Sequence, residues 1–277
     1  MSTRINSNIL SLTAQRNLSV TQKLMDQSVQ RLSSGLRINS AGDDPAGLAV
    51  SERMRGQIIG MVEAERNANY DVNLLETAEG ATSVIDEKLI RMRGLAVEAA
   101  NGALIASDRT ALNVEFQHLK SEVTRIAQVS NYNGLNLLDG TYSSASITFH
   151  IGANANSGKD YYSVNLNSMT ASALGLNATT ITTTAAAQTA ISAVDTAITS
   201  KDSERTKIGA YIERLQNTIL SLQISHENAV KSESTIRDAD IATEMSNFVK
   251  SQILMRSGVS MLAQSNLIPQ TIASLIG

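Results

Sequence analysis

The chain has 277 residues, a formal net charge of −3, 3% aromatic residues, two prolines and no cysteine. The absence of cysteine excludes disulfides and thiolate metal sites, and the near-neutral charge gives no support for a nucleic-acid partner. So few aromatics are unusual for a large enzyme with a pocket, whereas helices packed through Leu, Ile, Val, Met and Ala do not need them. No apolar run is long enough to span a bilayer, so we expect no stable membrane insertion. Residues 1–11 are polar and lack the apolar core of a cleavable signal peptide.

The first predicted element is a helix over about residues 6–36, marked by an apolar stripe. The stripe residues recur at helical spacing and predict a coiled-coil seam, which another helix must cover. They are Leu18, Met25, Val29, Leu32 and Leu36. Residues 1–42 also carry five basic side chains against one acidic one, a local net charge of +4. A basic amphipathic end suits a membrane surface, but a solvated or partner-facing helix side is the more ordinary interpretation, and we favour it.

A second helix is predicted to begin at Pro45. Asp43 and Asp44 precede the proline, whose missing N–H costs nothing in a first helical turn. We therefore interpret the two carboxylates as helix caps rather than as a catalytic pair. The helix is expected to run to about Ala100, roughly 80 Å at 1.5 Å per residue, and such a helix usually belongs to a rod. Asn101-Gly102 is expected to form its C-cap.

The middle of the chain changes its pattern. A third helix starts at about Ser107 or Asp108 and ends in turn residues. Two stretches then alternate apolar and polar side chains, separated by a Gly- and Asn-rich loop, and predict a β-hairpin at about residues 146–167. A Thr- and Ala-rich stretch at 179–187 is expected to be a surface linker.

Two further helices complete the chain. The first holds a heptad pattern for about five repeats, with Lys201, Arg205 and His226 at its non-apolar seam positions. The second carries a further stripe, formed by Ile241, Met245, Phe248, Met255, Val259 and Leu262. Stripes at both ends indicate that the ends pair with each other or with other copies. The predicted fold is mainly α: a long coiled-coil-like helical rod with paired N- and C-terminal helices and a small β-hairpin region.

Little in the sequence suggests chemistry. His118, His150 and His226 are scattered and have no His or Cys partner at metal-ligand spacing. No glycine-rich phosphate loop and no nucleophile elbow occurs. We therefore predict no catalytic, cofactor-binding or metal site and no enzyme. A cytosolic coiled-coil adaptor and a membrane-surface helical protein stay open as alternatives.

Seven short segments stand in order along nearly the whole chain. They are QRLSSGLRIN (30–39), AGDDPAGLA (41–49), RMRGLAV (91–97), FHIGAN (149–154), MTASALGL (169–176), STIRDADIA (234–242) and MLAQSN (261–266). The first two resemble the N-terminal signature of bacterial flagellins, the next three resemble that family's rod helix and hairpin region, and the last two resemble its C-terminal signature. The match favours a flagellin over a hook–filament junction protein, which shares the paired terminal helices.

The resemblance implies a subunit that polymerises with itself into the bacterial flagellar filament. Residues 1–42 and 236–277 would be the two halves of the inner-tube domain, and residues 43–235 would form the surrounding rod. The large outer domains of many flagellins should be missing. The implied partners are the type III exporter, an export chaperone at the C-terminal helix, the filament cap and hook-associated junction proteins. The implied location is the extracellular filament, or a periplasmic one as in spirochetes.

The family is also recognised by an innate immune receptor, Toll-like receptor 5 (TLR5). Matching the family's contact pattern onto this sequence places Arg91, Leu95 and Glu115 at the receptor. Gly94 departs from the Glu found in many strongly recognised flagellins, and it costs about 1 kcal/mol of helix propensity relative to Ala. The resemblance therefore implies filament formation more strongly than receptor binding.

Overall fold

The computed structural model describes residues 7–276, with side chains described as far as residue 268. Among these residues it contains six helices and two small antiparallel strand pairs, so the mainly α prediction is confirmed. The five predicted helices and the predicted hairpin occur in the expected order, and one strand pair and one four-residue helix are additional. The elements are α1 (Ile9–Ser34), α2 (Pro45–Ala99), α3 (Ala106–Val129), β1 (Asn131–Tyr132), β2 (Leu135–Asn136), α4 (Thr141–Ser144), β3 (Ile147–His150), β4 (Tyr161–Val164), α5 (Thr184–Arg237) and α6 (Ile241–Ile276). In the part of the chain that is described, no helix is both long and apolar enough to cross a bilayer.

The chain forms two compact units, one of residues 1–56 with 228–277 and the other of residues 57–227. The division falls inside α2 and α5, because both helices contribute to both units. The sequence places the domain boundaries after residues 42 and 235, at the turns between helices. These boundaries remain a prediction about the domains of the assembled subunit.

Local side-chain caps set the helix starts in the first unit. Asn8 Oδ1 accepts the Ser11 N–H at 3.1 Å before α1, and Asp44 Oδ1 accepts the Gly47 N–H at 2.9 Å, as expected of the residue before Pro45. Asp43 instead stabilises the preceding turn, where its carboxylate accepts a hydrogen bond from the Ser40 N–H. This bond holds the pKa of Asp43 below its usual value. The cap prediction is therefore confirmed for Asp44 and corrected for Asp43, which stabilises the turn before the helix.

The end of α2 differs from the prediction. Gly102 does not take the left-handed conformation that a glycine C-cap requires. Instead, the guanidinium of Arg109 on α3 donates to the carbonyl oxygens of Ala99 and Asn101, at 2.9 and 2.8 Å. A side chain from a neighbouring helix thus satisfies the terminal carbonyls, which local sequence could not reveal.

The second unit has a continuous apolar core between α2, α3, α5 and the segment that links α3 to α5. Its fully buried side chains include Leu75, Ile85, Leu89, Met92, Phe116, Val123, Phe149, Val164, Leu176, Val194 and Ile208. Helices α2 and α5 run antiparallel there. Two ion pairs show this: Arg93 pairs with Asp195, and Asp86, earlier on α2, pairs with Lys201, later on α5. The expected seam position of Lys201 is confirmed, since its side chain is only 2% exposed.

Two hairpins lie between α3 and α5. The first turns at Asn133 and Gly134, whose φ angles of 50° and 82° suit a two-residue hairpin turn. The second is the predicted one, with β3 and β4 antiparallel and Phe149 opposite Tyr162. Asp160 organises its loop by accepting backbone N–H groups, among them that of Asn156 at 2.9 Å. These bonds lower the pKa of Asp160.

Candidate assembly surface of the terminal helices

Helices α1 and α6 form an antiparallel pair within the first unit. At one end the Asn8 side-chain amide donates to the Ser265 carbonyl at 2.8 Å, and nearer the other end the Ser28 hydroxyl donates to Glu244 Oε1 at 2.6 Å. Leu36 bridges Asp238 just beyond both helices. The two chain ends therefore pair with each other, one of the two possibilities that the sequence left open.

The contact between the helices follows a heptad repeat in which every second position is small or polar. The seam positions are Ala14, Leu18, Thr21, Met25, Ser28 and Leu32 on α1, and Glu244, Phe248, Ser251, Met255, Gly258, Leu262 and Ser265 on α6. Gly258 lets the helices approach closely, since a Cβ there would lie 3.1 Å from Leu18 Cδ1. Leu, Met and Phe thus alternate with small or polar side chains along both helices.

In this pair polar side chains are more deeply buried than apolar ones, which is the reverse of an ordinary protein core. Among the described side chains of α1 and α6, the buried ones are all polar: Ser28, Ser251, Ser265 and Glu244. Glu244 is 8% exposed, and besides the Ser28 bond its Oε2 lies 3.6 Å from Arg31 Nη1. The seam Leu, Met and Phe side chains are only half-buried. The pair alone therefore removes little apolar surface from water.

The sequence-predicted seam residues fall into two groups. Half-buried are Leu18, Met25, Leu32, Leu36, Phe248, Met255 and Leu262, and exposed are Val29, Ile241, Met245 and Val259. Val29, Met245 and Val259 each follow a seam position by one residue, so they lie beside the seam rather than in it. The apolar pattern missed Glu244, Ser251, Gly258 and Ser265, although their regular seven-residue spacing was a usable signal.

Backbone hydrogen bonds and an ion pair join the segment after α1 to the segment before α6. The Ala239 N–H donates to the Gly35 carbonyl at 2.9 Å, and the Arg37 N–H donates to the Arg237 carbonyl at 2.6 Å. Arg237 Nη1 also lies 2.7 Å from Glu52 Oε1, and this hydrogen bond lowers the pKa of Glu52. The turn before α6 is therefore tied to the turn after α1 and to α2.

Within the described residues, no group of three or more His, Cys, Asp or Glu side chains is arranged to hold a metal ion. His118, His150 and His226 lie on α3, β3 and α5 respectively.

The terminal regions also match family models. The bacterial flagellin N-terminal helical region matches residues 5–143, and the bacterial flagellin C-terminal helical region matches residues 191–276. The chain belongs to the bacterial flagellin family. Between α3 and α5 the flagellin chain holds the two hairpins, the short α4 and the segment leading to α5, as expected for a short flagellin without outer domains.

Full-length relatives are similar over almost the whole chain. The flagellar filament 33 kDa core protein of Treponema phagedenis is 39% identical over 286 residues, covering 98% of this chain and 99% of the relative. The flagellin of Bacillus subtilis (strain 168) is 40% identical over 305 residues, covering 99% of both. The crystal structure of Bacillus cereus flagellin aligns with a TM-score of 0.50 and 31% identity, covering 57% of this chain and 88% of that one.

The three residues matched to receptor contact in flagellins lie on α2 and α3. Arg91 Nη2 and Glu115 Oε1 are 2.7 Å apart, and both side chains are exposed. Leu95 is completely buried in the core of the second unit, so its side chain does not reach a surface that a receptor touches. The expectation for Leu95 is therefore corrected, while that for Arg91 and Glu115 stays a prediction.

Proposed function

We propose that this chain is the structural subunit of a bacterial flagellar filament and that α1 and α6 build the inner tube by coiled-coil packing with other copies. The observation that carries this is the reversed burial of the terminal pair. Its seam buries serines and a glutamate, while many large apolar side chains face outward. Contiguous exposed apolar surface of this kind marks a site where other chains bind.

A comparison of magnitudes supports assembly through these ends. Ordering a residue costs about 1–2 kcal/mol of backbone entropy, and fully burying a Leu, Val or Met side chain returns roughly 1.5–3 kcal/mol. The half-buried seam cannot offset the ordering of two helices. We therefore propose that residues 1–42 and 236–277 become fully ordered on assembly, while residues 43–235 form the rod around the tube.

The further partners follow from the family. We propose export through the flagellar type III route, a chaperone on the C-terminal helix, a filament cap and hook-associated junction proteins as neighbours, and weak recognition by TLR5 through Arg91 and Glu115. The proposed location is extracellular, with a periplasmic filament as the alternative. A hook–filament junction protein is the less favoured function, because the full-length relatives are named flagellins and filament core proteins.

The test is negative-stain electron microscopy of the purified chain after seeding or salting-out, beside a variant that lacks residues 1–35 and 242–277. Long tubes from the full chain and none from the variant are expected. Circular dichroism of the variant should still report the helices of the second unit, which shows that the loss is not misfolding. Discrete particles from the full chain would overturn the filament proposal and favour a junction protein.

A further inference from the structure

Methionine carries all the sulfur in this chain. The sequence has nine methionines and no cysteine, so the first oxidation at any sulfur converts a thioether to a sulfoxide. Met1 lies outside the described residues. An oxidant in solution must reach the sulfur atom to react with it. The exposure of each methionine side chain therefore decides where the chain is oxidised first.

The two units place their methionines differently. Met92 and Met169, in the core of the second unit, are 0% and 2% exposed. Met245 and Met261, both on α6, are 46% and 66% exposed, and among the described side chains they are the exposed methionines. The four others are half-buried: Met25, Met54, Met61 and Met255. A dissolved oxidant should thus reach the terminal pair long before it reaches the core.

Both exposed thioethers stand among exposed apolar side chains. Met245 lies one helical turn from Ile241 and from Val249, and Met261 lies two turns from Leu254. Met261 has the largest exposed fraction of the described large apolar side chains. A polar group added to either sulfur would therefore appear within apolar surface that the proposed function assigns to contact with other copies.

The contacts that join α1 to α6 do not use either thioether. The hydrogen bonds between the helices run through Ser28 with Glu244 and through the Asn8 amide. Met245 and Met261 each stand one residue to the side of a seam position. A polar group on these side chains stays hydrated in the free subunit, so it should disturb neither the helix pair nor the core of the second unit.

The chemical step needs one co-reactant, hydrogen peroxide. The thioether sulfur attacks one peroxide oxygen, the O–O bond breaks and an S–O bond forms. The sulfur is oxidised by two electrons and the peroxide is reduced. The departing hydroxide takes the proton of the transferred oxygen and leaves as water, so one thioether and one peroxide give one sulfoxide and one water. The product replaces a flexible apolar side chain with a polar one.

We propose that Met245 and Met261 form a redox-sensitive modification site of the unassembled subunit, at which oxidation to the sulfoxides prevents incorporation into a filament and leaves the fold intact. This inference rests on the proposed function and adds a regulation to it. The sulfoxide oxygen accepts hydrogen bonds, and a contact that removes it from water without supplying a donor is unfavourable. Methionine sulfoxide reductases reverse the modification.

Peptide mass spectrometry of the monomeric full chain in dilute hydrogen peroxide tests the selectivity. We expect Met245 and Met261 to gain one oxygen atom about tenfold faster than Met92 and Met169, because the buried sulfurs become accessible only when the core opens. Circular dichroism should not change during the reaction. Oxidation of all four side chains at one rate would overturn the inference.

Seeded assembly followed by sedimentation measures the consequence. The oxidised wild-type chain should show a critical concentration raised about tenfold or more, and reductases for both sulfoxide epimers should restore it. Met245→Leu combined with Met261→Leu should assemble normally before and after peroxide, since leucine fills a similar volume and carries no sulfur. The matched control combines Met54→Leu with Met61→Leu on α2 and should stay as sensitive as the wild-type chain.

The outcomes separate this inference from the proposed function. Normal assembly of the wild-type chain with both exposed methionines oxidised would overturn the inference. Loss of assembly in the peroxide-treated Met245→Leu, Met261→Leu chain would assign the effect to other groups and overturn it too. The oxidation and repair of the wild-type chain depend on no substitution, so they decide the matter even if a variant fails to assemble. An untreated wild-type chain that forms no filaments would instead contradict the proposed function.

Discussion

The two compact units of this flagellin use apolar residues in opposite ways. In residues 57–227 many Leu, Ile, Val, Met and Phe side chains fill a continuous core, whereas in the α1/α6 pair the buried side chains described are polar and the large apolar ones are half-buried or exposed. A continuous apolar core is typical of a domain that folds alone. Exposed apolar surface on the α1/α6 pair is typical of an interface with other subunits. Substitutions in the second unit should therefore change stability of the monomer, and those in the pair should change assembly.

The largest effect is expected in the core of the second unit. Leu89→Ala removes a fully buried side chain and should lower the free energy of unfolding by about 2–5 kcal/mol, since it leaves a cavity. Chemical denaturation of the monomeric full chain, followed by circular dichroism, measures it. The neighbouring Ile90, 58% exposed on the same helix, is the control, and Ile90→Ala should cost far less. Equal losses would contradict the assignment of this core.

The next effect concerns a cation inside that core. Lys201 Nζ lies 2.6 Å from Asp86 Oδ1 and from Asp202 Oδ1. Burial lowers the pKa of Lys201, but the hydrogen bonds to Asp202 and Asp86 outweigh it, so the pKa is raised. Lys201→Ala should lower the free energy of unfolding by roughly 3 kcal/mol, because it leaves a cavity where a buried side chain stood.

Lys201→Met separates charge from packing. Methionine fills a similar volume, and the carboxylates of Asp86 and Asp202 retain access to water, so we expect a change within about 1 kcal/mol. The same denaturation measurement applies. A loss as large as that of Lys201→Ala would show that the ion pair itself, and not the filled space, stabilises the helix pairing.

The two units also differ in how well the spacing of apolar residues predicts which side chains are buried. In the second unit the apolar repeat follows the core, so spacing predicts the long helices, the β3–β4 hairpin and the seam position of Lys201. It does not predict the first hairpin or α4, and the stretch 179–187, expected to be a surface linker, instead buries Ile181 and Ala187. In the terminal pair the strongest apolar stripe includes Met245 and Val259, which face outward, while Ser251 and Gly258 face α1. Spacing identifies amphipathic helices but does not say which side a partner within the chain will cover. The Arg109 cap on α2 and the burial of Leu95 were equally out of reach, because both depend on neighbouring helices.

A smaller effect is expected from the polar seam of the pair. Glu244→Ala leaves the Ser28 hydroxyl and the Arg31 guanidinium without their acceptor, at a cost of about 1–3 kcal/mol to the ordered pair. Because assembly orders the pair, the critical concentration should rise about tenfold, while denaturation of the monomer stays unchanged. Glu227→Ala, at an exposed position on α5, is the control. A destabilised monomer with normal assembly would contradict the distinction between the two units.

The last effect is a pH dependence confined to the second unit. Asp71 Oδ2 on α2 is buried and has no hydrogen-bond partner among the described residues, and burial raises the pKa of Asp71 to about 7. Tyr162 on β4 lies near it, together with Tyr211 and Arg214 of α5, which stack on and cover the Tyr162 ring. Burial also raises the pKa of Tyr162 to about 12, so its hydroxyl stays protonated at neutral pH.

The sign of the effect follows from the raised pKa. Between pH 4 and pH 7 the folded chain holds a proton on Asp71 that the unfolded chain has released, so the stability of the monomer should fall as pH rises through this window. Asp71→Asn keeps the shape and removes the titration, and it should flatten the difference in unfolding free energy between pH 5 and pH 8. Glu76→Gln, at an exposed position on the same helix, should leave the slope as it is. If the unfolding free energy of Asp71→Asn still falls with pH as in the wild-type chain, other groups cause the pH dependence. Protonation of Asp71 would then not affect the contacts around Tyr162.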